Sequence, residues 1–154
     1  MKKFDVVVIP DSIMYMTTTE DLEAVVRNAS AHLKKDGLFL VVAHMKDDFR
    51  NNNFAYSAQK GDLHITVLEN NHIVSVNTYE AVFTYLIRNG SGLTIKHEVH
   101  TLGLFSYLQW REIFDKYGFE ADEMDLDDLY DKNMLGEGEY RLKIFVGKFR
   151  NNPD

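Results

Sequence analysis

The chain has 154 residues, 24 acidic against 17 basic side chains, a formal net charge of −7 and no cysteine. That length is enough to bury one full core. The acidic balance opposes binding to phosphate backbones, and the lack of thiols excludes disulfides, cysteine nucleophiles and cysteine-ligated metals.

No stretch reaches the roughly 18 consecutive apolar residues of a membrane span. The start, MKKFDVVVIPDS, has neither the long apolar region nor the small-residue cleavage site of a secretory signal. A cytoplasmic protein without nucleic-acid or membrane partners is expected.

Phe4 to Ile9 (FDVVVI) is continuous and β-branched, the composition of a strand covered on both faces, and Pro10 ends it. Thr17-x-x-Glu20 has the form of a capping box, and Glu20 and Asp21 suit a helix amino terminus. Leu22, Val25, Val26, Ala29 and Leu33 then recur at helical spacing, with Lys34 and Lys35 at the carboxyl end and Gly37 as the C′ residue. Leu38 to Ala43 (LFLVVA) reads as a second buried strand and completes a βαβ unit.

Lys46 to Lys60 is polar, asparagine-rich and punctuated by aromatics, and reads as a loop or lid. Strands over 63–69, about 72–87 and 93–101 follow, separated by Asn70-Asn71 and Asn89-Gly90-Ser91-Gly92. They form an antiparallel meander over about 61–102. Ser106-x-x-Gln109 opens a second helix, with Leu108, Ile113, Phe114 and Tyr117 as its stripe and Gly118 as its stop. Phe119 to Met124 and Tyr140 to Phe149 close the chain as an antiparallel pair. Residues 1–149 read as one domain and 150–154 as a disordered tail.

The chemistry-bearing motifs are sparse. EADEMDLDD, residues 120–128, lacks the glycine and alternating spacing of a calcium loop and reads as a solvated face. His97-Glu98-Val99-His100 is one residue short of HExxH. On a strand, side chains three apart face opposite sides, so the two histidines cannot share a metal, and no metal site is expected. There is no G-x-S-x-G, GxGxxG or GxxxxGK[ST], and Gly136-x-Gly138 is flanked by acid. The residues by themselves name no acid, base or nucleophile. What remains is the Asp11-Ser12 corner after the first strand and His44 after the second, where α/β folds hold ligands.

Taken together, FDVVVIPDSIMYMTTTEDLEAVVRNASAHLKKDGLFLVV resembles the stretch of class I S-adenosylmethionine-dependent methyltransferases that begins at their fourth strand. Leu33-Lys34-Lys35-Asp36-Gly37 stands in place of the family's LKPGG. HTLGLFSYLQWREIFDKYGFEADEM is similar to the family's later strand, helix, GF and strand, and RLKIFVGKF to its closing strand. The long antiparallel insert points to the branch that methylates amino groups of small molecules, nucleotide-linked aminosugars among them.

The resemblance implies an α/β fold: a partial Rossmann-like methyltransferase sheet, made of a βαβ unit plus a terminal antiparallel strand pair, with an inserted antiparallel β-meander. It implies S-adenosylmethionine as cofactor and a small-molecule acceptor, methylated at nitrogen by direct displacement. Alignment, exclusion of water and an unprotonated amine are then the protein's contributions. By position in the motifs, Asp11, Ser12 and Ile13 would contact the cofactor, and Tyr15, His44, His100 and Arg141 the acceptor. The family's glycine-rich loop and the acidic residue ending its second strand have no counterpart in the sequence. The resemblance therefore implies a truncated methyltransferase with weak or no cofactor binding alone, completed by an amino-terminal half. The alternative is a non-catalytic homodimerising module, because an open apolar edge at Val6–Ile9 favours pairing with another chain.

Overall fold

The computed structural model describes residues 2–126, 131–136 and 140–150. The expected tail at 151–154, the end of the acidic run at 127–128 and Gly138 lie outside the described residues. The chain runs β1 (Phe4–Ile9), a 3-10 turn (Ser12–Tyr15), α1 (Thr19–His32), β2 (Leu33–Ala43), β3 (Asn52–Lys60) and β4 (Leu63–Ile73). It continues through β5 (Thr78–Asn89), β6 (Gly92–Gly103), α2 (Tyr107–Lys116), β7 (Phe119–Leu126) and β8 (Leu142–Phe149). Two compact units result, Met1–Phe49 with Gly103–Asp127 and Arg141–Asp154, and Arg50–Leu102 with Asp128–Tyr140. Among the described residues no helix is long and apolar enough to cross a membrane.

The first unit holds a sheet in the order β1-β2-β8-β7. β1 and β2 are parallel, and β8 is antiparallel to both β2 and β7. This is a mixed α/β sheet of the expected class. Helix α1 is capped one residue later than the sequence pattern indicates. The Thr18 hydroxyl accepts from the Asp21 backbone N–H at 3.1 Å and donates to the Asp21 carboxylate at 2.6 Å. The helix also ends earlier, at His32, so Gly37 is not its C′ residue. The left-handed residue is Asp36, at φ 62°. Between the pairs Phe4–Leu33 and Val6–Leu38, residues 34–37 bulge against the single Asp5. Gly37 is needed there for close approach, since a Cβ would sit 2.9 Å from the Lys34 carbonyl oxygen and 3.1 Å from that of Asp5.

An aromatic cluster runs through the core of this unit. Trp110 stacks on Phe145 and Phe114 at centroid distances of 5.0 and 5.8 Å, and Phe114 meets Phe39 at 5.8 Å. Leu22, Val26 and Ala29 of α1 are buried as well, and Glu23 accepts from Lys116 and the Tyr117 hydroxyl, holding α1 beside α2. The sequence stripe for α2 misses Trp110 and includes Leu108, which is 65% exposed. Trp110, Ile113 and Phe114 form the inward face at i, i+3 and i+4, and Leu108 falls outside it.

Both helices pack on the sheet face carrying Phe39, Val41, Phe145 and Gly147. Pairing register puts Val6, Val8, Leu38, Leu40, Ile144, Val146 and Met124 on the other face. Val6, Val8 and Met124 are 46%, 54% and 54% exposed. The FDVVVI run is therefore not a strand covered on both faces. It forms a sheet edge, and its apolar side chains continue an apolar face that neither helix of the unit covers.

The second unit is a four-stranded sheet in the order β3-β4-β5-β6, antiparallel at β3–β4 and β4–β5. It corrects two readings. Residues 52–60 are not a loop but strand β3, paired with β4 along its whole length. Asn70 and Asn71 are not a turn but lie inside β4. The physical reason is the same for both. Asn70 Nδ2 donates to Asn53 Oδ1 at 2.7 Å and Asn71 Nδ2 to Asn52 Oδ1 at 2.8 Å, so side-chain amides bridge the two strands. Gly61, at φ 59°, supplies the left-handed residue of the β3–β4 turn, and Gly90, at φ 58°, that of the expected turn at Asn89–Gly92.

Candidate functional site

Because β1 and β2 are parallel, both chains leave the sheet at the same end, and antiparallel β8 enters there, with Lys143 opposite Ala43. The topology thus gathers three of the sequence-predicted positions, Asp11, His44 and Arg141, from segments far apart in the chain. His44 is 3% exposed. Its Nδ1 lies 3.0 Å from the Arg141 carbonyl. A carbonyl only accepts, so Nδ1 carries the proton and Nε2 is the lone-pair nitrogen in the neutral ring. Burial pushes the imidazole down to about 4, against the opposing pull of the Arg141 bond. The edge of Phe49 closes over the ring at 5.1 Å. His44 is a neutral, oriented polar group at ordinary pH.

The lip after β1 is a tight 3-10 turn. Partial burial raises the Asp11 carboxyl above the usual carboxylate range, while its carbonyl accepts from Met14 N at 3.3 Å. Ile13 and Met14 turn inward and are 2% and 7% exposed, so the Ile13 side chain belongs to the core. Its carbonyl accepts from Met16 N at 3.0 Å. Asp11, Ser12 and Tyr15 remain outward, Tyr15 at 53% exposure. Gly103 fixes the end of the lip, because a Cβ there would lie 2.0 Å from the Met16 carbonyl oxygen.

A polar cluster that the sequence reading did not single out sits beside this end of the sheet. The Tyr107 backbone N–H donates to Asp47 at 2.9 Å and its hydroxyl to Asp48 at 2.6 Å. Desolvation and the Asp48 bond push the phenol up to about 12. Lys143 pairs with Asp125 and lies over the Tyr107 ring at 5.7 Å. The available signal was the Asp47-Asp48 pair directly after His44-Met45-Lys46.

His100 is on β6 of the second unit, half-buried with its ring against the edge of Phe83 at 5.5 Å. Register there pairs Phe54 with Glu69 and Glu69 with Phe83, and one step on Tyr56 with Val67 and Val67 with Tyr85. Side chains two apart share a face, so Phe54, Tyr56, Glu69, Asn71, Phe83 and Tyr85 line one side of this sheet. Tyr140 adds a ring 4.7 Å from Phe54. The sequence reading missed Glu69 and Asn71, because it placed a strand end and a turn at those residues.

No protein-family model and no curated protein sequence matches the chain. Solved structures do. CalS10, an amino pentose methyltransferase from Micromonospora echinaspora, superposes with a TM-score of 0.74 at 14% identity, over 94% of this chain and 58% of its own. KedS8, a sugar N-methyltransferase from Streptoalloteichus, gives 0.74 at 19%, over 97% and 57%. DesVI from Streptomyces venezuelae gives 0.74 at 22%, over 96% and 59%. The chain spans less than two thirds of the length of each of these structures. At such identities the likeness is one of fold, an α/β fold seen in S-adenosylmethionine-dependent methyltransferases, a sugar N-methyltransferase and an amino pentose methyltransferase among them.

Proposed function

We propose that this chain is the acceptor-side part of an S-adenosylmethionine-dependent N-methyltransferase acting on a small molecule, completed by a polypeptide segment that supplies the rest of the cofactor site. The observation that carries this reading is the convergence of Asp11, His44 and Arg141 at the carboxyl end of β1 and β2, in a fold shared with aminosugar and sugar N-methyltransferases.

The residues present fit the cofactor only at one end. The β1–α1 connection, residues 10–18, contains no glycine that would let a backbone approach a nucleoside closely. The two carbonyls Asp11 and Ile13 already accept bonds within the turn, so the lip offers the Asp11 carboxylate and the Ser12 hydroxyl. When bound, the cofactor supplies an electrophilic methyl on sulfonium, and an amine nitrogen displaces the sulfur. For that displacement, this chain holds the acceptor, keeps water out with the buried wall behind Ile13 and Met14, and presents a neutral His44 rather than a cation next to a developing ammonium.

Titration calorimetry tests the reading. The chain alone should show no saturable micromolar binding of S-adenosylmethionine, whereas a complex with an amino-terminal segment bearing a strand and glycine-rich loop should bind it and methylate small amines. Micromolar binding by the chain alone overturns the partial-cradle argument, and a cofactor-binding complex inert toward every amine overturns the enzymatic one.

A second reading, a homodimerising module, is favoured by the β1 edge and its bare apolar face. Val6→Lys, at an exposed position, should leave the monomer folded and abolish edge pairing. A sedimentation profile that is monomeric at all concentrations would count against this reading.

A further inference from the structure

We infer that the second unit carries a binding site for a protonated aliphatic amine, anchored on Glu69. The site needs only the second unit and does not rest on the methyltransferase reading.

Glu69 is half-buried on β4, with Phe54 opposite on one side and Phe83 on the other. Stacked pairs extend the apolar surround: Phe54 on Tyr56 at 5.8 Å and Phe83 on Tyr85 at 6.3 Å. A carboxylate among rings costs free energy unless its charge is met. Both oxygens accept a bond, Oε2 from the Tyr56 hydroxyl at 3.0 Å and Oε1 from Asn71 Nδ2 at 2.7 Å. Both donors are neutral. They fix the carboxylate in place and leave its charge uncompensated. Among the described residues, none of the ion pairs includes Glu69.

Asn71 is an independent second observation. It is 2% exposed, and its Nδ2 is taken up by Asn52 and Glu69. Its Oδ1 is buried without a hydrogen-bond donor. A buried acceptor left unpaired beside a half-buried carboxylate marks a place built to receive a donor. An ammonium meets each requirement at once. It carries the opposite charge, it has donors for Glu69 and Asn71, and it is attracted to the faces of the surrounding rings. A neutral hydroxyl group would satisfy the acceptors and leave the charge, so the class of ligand is a cationic amine.

The probe is cyclohexylamine, protonated at pH 7, with cyclohexanol as its neutral counterpart, both titrated without cofactor and followed by the Asn71 side-chain amide resonances. Cyclohexylamine should shift them saturably, and cyclohexanol should bind at least about tenfold more weakly, the factor expected for losing a charge-assisted contact. Glu69→Gln keeps the same shape and acceptor oxygen and should weaken the amine by a similar factor, with little effect on cyclohexanol. Phe83→Leu, which keeps the apolar volume, should weaken the amine a few-fold and serves if the Glu69 variant does not fold. Equal binding of the two probes, an unchanged amine affinity in both variants, or no saturation with cyclohexylamine overturns the inference. None of these outcomes depends on methyl transfer, so the site can fail while the methyltransferase reading stands, and the reverse.

Discussion

His44 gives the sharpest quantitative test of the first unit. Its imidazole is held at about 4 in the folded chain, against an ordinary value of 6.5. Between these values the unfolded chain binds a proton that the folded chain refuses, so stability rises with pH across that window and falls on acidification. The contribution is fully present above about 6.5 and is lost progressively as the pH drops towards 4. At about 1.4 kcal/mol per pH unit, the gap is worth on the order of 3 kcal/mol. Other groups also titrate in this range, and raised Asp11 acts in the opposite sense, so a difference measurement is required. His44→Asn places an amide N–H where Nδ1 donates to the Arg141 carbonyl and cannot titrate. Urea unfolding can be followed by the fluorescence of Trp110, the single tryptophan, which is buried at 1% exposure. From pH 7 to pH 4 the natural chain should lose about 3 kcal/mol more than the variant. Parallel curves for the two proteins would refute the burial argument, as would an imidazole Cε1 resonance that titrates near 6.5.

Two further substitutions test local packing. Gly103→Ala drives a Cβ to 2.0 Å from the Met16 carbonyl oxygen, a backbone atom, whereas Gly147→Ala meets the Phe114 ring at 2.9 Å. The first should cost about 3 kcal/mol or more and the second about 1–2 kcal/mol, and calorimetric melting that ranks them the other way would show the lip to be softer than its geometry. Thr18→Ala should cost about 1 kcal/mol and Thr17→Ala close to nothing; denaturant midpoints with the opposite order would move the cap back to Thr17.

Most of the first unit was legible because its signals are local. FDVVVI, the α1 stripe, the Ser106-x-x-Gln109 capping box and Gly118 at φ 78° all specify their own conformations, and the structure uses each. The errors cluster where a distant partner decides. Asn51 to Gln59 carry few strand formers, and their pairing rests on amide bonds to Asn70, Asn71 and the Ile73 backbone, about 20 residues away. Gly37 read as a helix stop because a glycine after two lysines fits that pattern, yet its role is set at the bulge by the Lys34 carbonyl together with the Asp5 carbonyl across the sheet. The candidate site divides in the same way. Position after a strand was enough to nominate Asp11 and His44, but the Arg141 carbonyl bond and the Tyr107–Asp48 contact exist only after folding.

The two sheets place their charge differently, and this bears on what each can bind. In the first unit three carboxylates beside the candidate site have partners, while Asp11 stays outward: Asp47 and Asp48 accept from Tyr107, and Asp125 pairs with Lys143. With Tyr107 held protonated well above neutral pH and His44 neutral, that end of the sheet is polar and fixed, suited to orienting a ligand. In the second unit Glu69 keeps an uncompensated charge among aromatic rings, and the strands that present it are themselves stitched by asparagine amides. A charge left unmet on a rigid support attracts an opposite charge with little cost of reorganisation. In the two proposals orientation falls to the first unit and charge recognition to the second, so Glu69→Gln should leave the His44 titration unchanged and His44→Asn should leave amine binding unchanged.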